Sequence, residues 1–151
     1  MQVGDIMTPG VKTCPRDGTF ADAAQVLHDH RIASVLVVDD DGGIAGIVTE
    51  RDLVNLVADG LDPKGTPLAD RMTRDLMTVE PRTDVGEAAA IMAEKGIRHL
   101  PVLHRGRLAG IVSIRDLWRW ALDELTAGHE LPDMERAHQA MHAAVQVHHR
   151  T

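Results

Sequence analysis

Four residues in this chain have the types and the spacing to do binding chemistry: Thr49 with Asp52, and Ser113 with Asp116. Each pair is a hydroxyl followed three residues later by a carboxylate. Each sits where a run of β-branched residues gives way to an apolar pattern of helical period. At such a helix start a hydroxyl, a carboxylate and several unbonded N–H groups meet. The helix end attracts anions, and the carboxylate can accept hydrogen bonds from sugar hydroxyls. Plain capping uses the same Ser/Thr-x-x-Asp pattern, so the local spacing leaves both roles open.

Both pairs lie in a stretch that the chain contains twice. Gly46-Ile47-Val48-Thr49-Glu50-Arg51-Asp52-Leu53 returns, 64 residues on, as Gly110-Ile111-Val112-Ser113-Ile114-Arg115-Asp116-Leu117. A repeat of this kind fixes the architecture before any propensity argument does. The openings repeat as well, as Asp5-Ile6-Met7-Thr8 and Asp70-Arg71-Met72-Thr73, followed by Thr13 and Pro15 or by Thr78 and Pro81. Next come helices led by Thr19-Phe20-Ala21-Asp22 and by Asp84-Val85-Gly86-Glu87. Phe20, Ala23, Ala24 and Leu27 line one of them, and Val85, Ala88, Ala89 and Met92 line its counterpart. The repeated Ala pair suggests close approach to a sheet.

Strands follow. Ser34–Val38 and Ile44–Thr49 flank Asp39-Asp40-Asp41-Gly42-Gly43, while His99–Leu103 and Leu108–Ser113 flank His104-Arg105-Gly106. Both read as hairpins. The triple Asp reads as a turn, because it lacks the alternating ligands and placed Gly of a calcium loop. Ile114, Leu117, Trp118, Ala121, Leu122 and Leu125 give the last repeated helix its apolar stripe. Trp120 falls off that stripe, as a candidate for a second interface or a singly exposed aromatic.

The fold expected is α/β: tandem β-α-β-β-α units, with helices on one side of each small sheet and an added C-terminal helix. The first unit spans 3–58, a Gly/Pro-rich linker 59–69, the second unit 70–126 and a helical tail 130–150. In the tail Met134, Ala137, Met141, Ala144 and Val145 fall at helical spacing, beside a stripe of Glu135, His138, His142 and His149. That second stripe reads as a solvated face, and no metal site is assigned.

Composition narrows the function. Net charge −7, one Phe, two Trp and no Tyr argue against nucleic acid, which needs clustered cations or stacking aromatics. No apolar run reaches the length of a membrane span, so no membrane partner is expected. The single Cys14 cannot form an internal disulfide and fits a reducing cytoplasm. An enzyme is not expected, since the chain lacks a nucleophile elbow, a phosphate-binding Gly-rich loop with Lys and a His-Glu-x-x-His zinc motif.

The doubled Gly-Ile-Val-Thr/Ser-x-Arg-Asp-Leu ending, the Asp-x-Met-Thr openings and Arg98-His99-Leu100-Pro101-Val102 resemble a pair of CBS (cystathionine-β-synthase) domains, a Bateman module. The resemblance covers about residues 3 to 125 and extends to small stand-alone bacterial proteins of the hypoxic or stress-response type. It implies that the two units pack as a pseudo-symmetric pair, a regulatory module with two clefts that bind adenosine-containing ligands such as AMP, ADP, ATP or S-adenosylmethionine, with no required cofactor. It implies that Asp52 and Asp116 hold ribose hydroxyls, and that Thr49, Ser113, Arg51 and Arg115 face phosphates or the ribose edge. Ile47 and Ile111 would flank the adenine. Each cleft would also receive residues grouped across the repeats: Thr8, Thr13, Ile32 and Ala33 with Ser113 and Asp116, and Thr73, Thr78, Ile97 and Arg98 with Thr49 and Asp52. The first repeat departs from the second, with Leu36 for Pro101 and Ala33 for Arg98. That makes the Thr49/Asp52 cleft the tighter phosphate site expected, through Arg98. A homodimer is expected, with Trp120, Met134 and Met141 as spare apolar residues. The alternative function is a ligand-free oligomerisation or protein-interaction module.

Overall fold

The hairpin runs pair as their alternation requires. In the computed structural model, which describes residues 1–127, strands β2 (Ser34–Val38) and β3 (Ile44–Thr49) are antiparallel, with Val35 opposite Val48 and Leu36 opposite Ile47. The short β1 (Thr13–Pro15) joins β2 in parallel, giving the order β1-β2-β3. In the second repeat β4 (His99–His104) and β5 (Arg107–Ser113) form a separate antiparallel pair, with Leu100 opposite Val112. Both hairpins slip register at matching places, after Val37 and after Val102. Ala45 and Ala109 are left unpaired beside Gly46 and Gly110. No sheet runs continuously through both repeats among the described residues.

In chain order the helices are α1 (Val3–Ile6), α2 (Phe20–His30), α3 (Glu50–Ala58), α4 (Leu68–Arg71), α5 (Val85–Lys95) and α6 (Ile114–Thr126). Thr19 and Asp22 close a reciprocal capping box on α2. Asp84 caps α5 by a shorter route, accepting from Gly86 N–H at 2.8 Å. Arg31 and Gly96 end α2 and α5 in the left-handed region. The Asp39–Gly43 stretch is a turn, with Gly42 at positive φ, Gly42 N–H donating to Asp39 C=O, and Arg16 paired to Asp39.

The chain forms two compact units that exchange the openings of the repeats. Among the described residues, Gly10–Leu76 is an inner unit, and Met1–Pro9 with 77–127 is an outer one. The inner unit thus holds α4 and Thr73 from the second repeat's opening, and the outer unit holds α1 and Thr8 from the first. The inner core gathers Phe20, Leu27, Val35, Val37, Leu56 and Leu68. The outer core gathers Val3, Val85, Met92, Leu100, Val102 and Leu117. Alternation along β2 and β4 supplies these contacts from one sheet face.

Two sequence expectations change in detail. The Gly/Pro-rich stretch 59–69 packs into the inner unit: Thr66 and Leu68 are buried, Phe20 N–H donates to Thr66 C=O, and Leu68 N–H donates to Gly18 C=O. Trp120, read as lying off the core stripe, packs on the outer core, whereas Leu122 and Leu125 are 56% and 50% exposed. The buried face of α6 therefore runs through Ile114, Leu117, Trp120 and Ala121. Trp120, partly buried, occupies the slot that the fully buried Leu56 fills in α3, 64 residues earlier. The tail helix expected over 130–150, with Met134, Met141 and the histidines, lies outside the described residues.

Candidate ligand-binding site

Each repeated strand–helix junction forms the capping box that its spacing suggested. At α3, Thr49 N–H and Oγ1 donate to Asp52 Oδ2 at 2.8 and 3.2 Å, and Asp52 N–H returns to Thr49 Oγ1 at 3.4 Å. At α6, Ser113 N–H and Oγ donate to Asp116 Oδ2 at 2.7 and 2.8 Å, and Asp116 N–H returns to Ser113 Oγ at 3.3 Å. Each box engages Oδ2 and leaves Oδ1 outside it. All four residues are half-buried. Capping is thus one role these residues perform, worth about 1 kcal/mol at each helix.

The exchanged openings are laid against the same junctions. In the outer unit Thr8 N–H donates to Ile111 C=O at 2.8 Å, and Ile111 N–H donates back to Thr8 C=O at 3.0 Å. In the inner unit Thr73 and Ile47 exchange the same two bonds, each at 3.0 Å. Glycine makes this approach possible. A Cβ on Gly46 would come within 2.7 Å of Thr73 C=O, and one on Gly110 within 2.8 Å of Thr8 C=O. The glycine heading each motif is there because an opening segment crosses it.

The remaining residues named from sequence divide by unit. Thr73, expected with Thr49 and Asp52, lies in their unit, and Thr8, expected with Ser113 and Asp116, lies in theirs. Thr13, Ile32 and Ala33 belong to the inner unit, where Ala33 C=O accepts from Glu50 N–H at 3.1 Å, one residue past Thr49. Thr78, Ile97 and Arg98 belong to the outer unit, where Arg98 C=O accepts from Ile114 N–H at 2.9 Å, one residue past Ser113. The Arg98 main chain therefore sits at the start of α6. Arg51 and Arg115, each between its cap residue and its Asp, are exposed.

His99 was not among the residues singled out for binding. It lies opposite Ser113 across β4 and β5. Burial pushes its imidazole below the ordinary value; Asp116 pulls it up, while Arg98 and Arg115 push it further down. Cys14 is buried, and burial, with Asp22 adding to it, raises its thiol pKa. No group of three or more metal-ligating side chains occurs among the described residues, nor a helix long and apolar enough to cross a membrane.

Two exchanged repeats, β-α-β-β-α in the first and α-β-β-α in the second, where Val79 makes only an isolated parallel bridge to Val102, each end in a Gly-headed strand and a Ser/Thr–Asp box and define a class of small paired modules. The chain belongs to the CBS domain family, whose model matches residues 3–59 and 68–117. Its relatives include the CBS domain-containing protein YhcV of Bacillus subtilis, 31% identical over 93% of this chain and 98% of that one. Hypoxic response protein 1 of Mycobacterium tuberculosis is 35% identical over 76% of this chain and 81% of its own. Among solved structures, the CBS domain pair of protein MJ0100 in complex with 5′-methylthioadenosine and S-adenosyl-L-methionine matches with a TM-score of 0.76 and 26% identity. The match covers 82% of this chain and 98% of that one. A CBS pair is a regulatory ligand-binding module, and proteins built this way are generally not enzymes.

Proposed function

We propose that this CBS pair senses adenosine-containing ligands, AMP, ADP, ATP or S-adenosylmethionine, at its two Ser/Thr–Asp junctions. It would do so as a cytoplasmic homodimer serving a stress response. The observation that carries the reading is the duplication: two boxes, Thr49/Asp52 and Ser113/Asp116, each with a half-buried carboxylate and an opening segment bridged to the nearby isoleucine. Asp52 and Asp116 would accept from ribose hydroxyls through the oxygen that the box leaves unused. Ile47 and Ile111 would flank the adenine, and Thr13, Thr78, Ile32, Ala33 and Ile97 would line the clefts. The MJ0100 pair, which holds two adenosine derivatives, supports this ligand class. The name of the mycobacterial relative supports the stress role. Arg98, expected from sequence to serve the Thr49/Asp52 cleft, has its main chain at the start of α6, so we assign the stronger phosphate preference to the Ser113/Asp116 junction.

Calorimetry on protein stripped of bound small molecules tests the reading. Binding of at least one of the four ligands is expected at millimolar concentration or below. Asp52→Ala and Asp116→Ala should each weaken one site by roughly ten- to a hundred-fold, the effect of losing a hydrogen bond to a charged group. No heat with any ligand would overturn the sensor reading in favour of the ligand-free interaction module. Sedimentation showing a monomer at tens of micromolar would count against the homodimer.

A further inference from the structure

The two junctions have the same architecture but different charge. Residues flanking the Thr49/Asp52 box at the start of β2 are Ala33 and Ser34; their counterparts at the Ser113/Asp116 box are Arg98 and His99. Ser34 pairs with Thr49 across the sheet, and His99 pairs with Ser113. Residues directly opposite in an antiparallel pair project from the same face. Leu100 and Val102 point into the outer core, so alternation turns His99 to the other face, together with Ser113 and Ile111. Among the described residues, the charges acting on His99 are Asp116 and Arg115 on α6 and Arg98, the residue just before β4. The charged residues of α5, which packs on β4, are Glu87, Glu94 and Lys95, all exposed.

We propose that His99 is the residue that sets ligand charge preference at the Ser113/Asp116 junction, favouring phosphate-bearing adenosine ligands when its imidazole is protonated. The inference rests on the sensor reading above and adds to it an asymmetry: the Thr49/Asp52 junction, with Ser34 in that slot, has no such control. The physical basis is linkage. Burial favours the neutral imidazole in the free protein. A phosphate placed beside it favours the imidazolium, so binding at this junction takes up a proton, and affinity rises as pH falls. One linked proton gives at most about tenfold in affinity per pH unit, reached between the free and bound pKa values. A neutral adenosine lacks the phosphate and has no reason to show the effect.

The test uses the full chain carrying Asp52→Ala, so that the Ser113/Asp116 junction dominates, with AMP and adenosine as probes at pH 5.5 and 7.5. Calorimetry in buffers of different ionisation enthalpy reads proton uptake directly. The expected result is that AMP affinity rises more on acidification with His99 present than in His99→Ser, by roughly tenfold. His99→Gln, which keeps the bulk, should behave like His99→Ser. Comparing variants with the same ligand cancels the phosphate's own titration near pH 6. The His99 imidazole resonance, assigned by its loss in His99→Gln, should titrate at higher pH with AMP bound than without. AMP binding with the same pH dependence and proton uptake in all three proteins would overturn this inference and leave the sensor reading standing. Absence of binding by either probe at both pH values, in this protein and in the chain with Asp52 restored, would overturn both.

Discussion

Gly46→Ala tests whether the exchanged opening is what closes the inner unit. The new methyl would stand 2.7 Å from Thr73 C=O and 2.8 Å from both Cγ and Sδ of Met72. The methionine side chain can yield, but the Thr73 carbonyl is held by Ile47 N–H at 3.0 Å, so backbone must move. Overpacking of this kind costs about 1–3 kcal/mol. Weakening the two Ile47–Thr73 bonds adds about 0.5–1.5 kcal/mol for each one lost. With both bonds lost the sum is about 2–6 kcal/mol, which for a chain of this size lowers the melting temperature by roughly 4–24 °C. Gly65→Ala is the control, because its Cβ would meet nothing nearer than 3.7 Å and its φ is not in the left-handed region. It should change stability by less than about 1 kcal/mol in either direction. Thermal unfolding followed by circular dichroism reads both variants, and hydrogen exchange at Thr73 reads the local effect. A Gly46→Ala protein melting within about 2 °C of the parent would refute the claim that this glycine is set by the crossing segment.

His99 also makes stability depend on pH. Its folded value lies below its ordinary 6.5, chiefly through burial, so the unfolded chain binds the extra proton first. The stability it contributes is present above about pH 6.5 and is lost as pH falls through the folded value, at up to about 1.4 kcal/mol per pH unit. His99→Gln should flatten that limb in a plot of urea midpoint against pH, and an unchanged slope would count against the assignment. Cys14 should be slow to react with a thiol reagent at pH 7.5, by roughly tenfold or more relative to the urea-unfolded chain. The reason is that burial raises its thiol pKa and hides the sulfur; native and unfolded rates that coincide would contradict it.

Much of this was legible in the sequence, because a repeat states each feature twice. The pairing of Val35–Val38 with Ile44–Val48, and of Leu100–Leu103 with Leu108–Val112, follows from alternation and turn chemistry. The boxes at Thr49 and Ser113 follow from spacing alone. Trp120 was misplaced because a wide apolar stripe was drawn through Leu122 and Leu125; alignment with Leu56 gives the right face. His99 was passed over because what matters about it is cross-strand: its partner Ser113 is 14 positions away, and local periodicity carries no trace of that. Stretch 59–69 looked like a linker by its Gly and Pro, yet Thr66 and Leu68 are held by contacts with the start of α2 that composition does not encode.

The exchange of openings has a consequence for what counts as a folding unit. A fragment of residues 1–64 contains the whole first repeat but not Leu68, Met72 or Thr73. The apolar residues around Phe20 then lose two buried partners, and Ile47 loses both of its bonds to Thr73. A fragment of residues 10–76 begins inside the first repeat and ends inside the second, yet carries every residue of the inner core. Burying a large apolar side chain contributes about 1.5–3 kcal/mol, so Leu68 and Met72 together are worth about 3–6 kcal/mol before any hydrogen bond is counted. For a unit of this size that is comparable with its entire expected stability. Residues 10–76 should therefore unfold cooperatively in urea, whereas 1–64 should show little structure in the absence of denaturant. Equal stability of the two fragments would mean that the sequence repeat, and not the exchanged unit, is what folds.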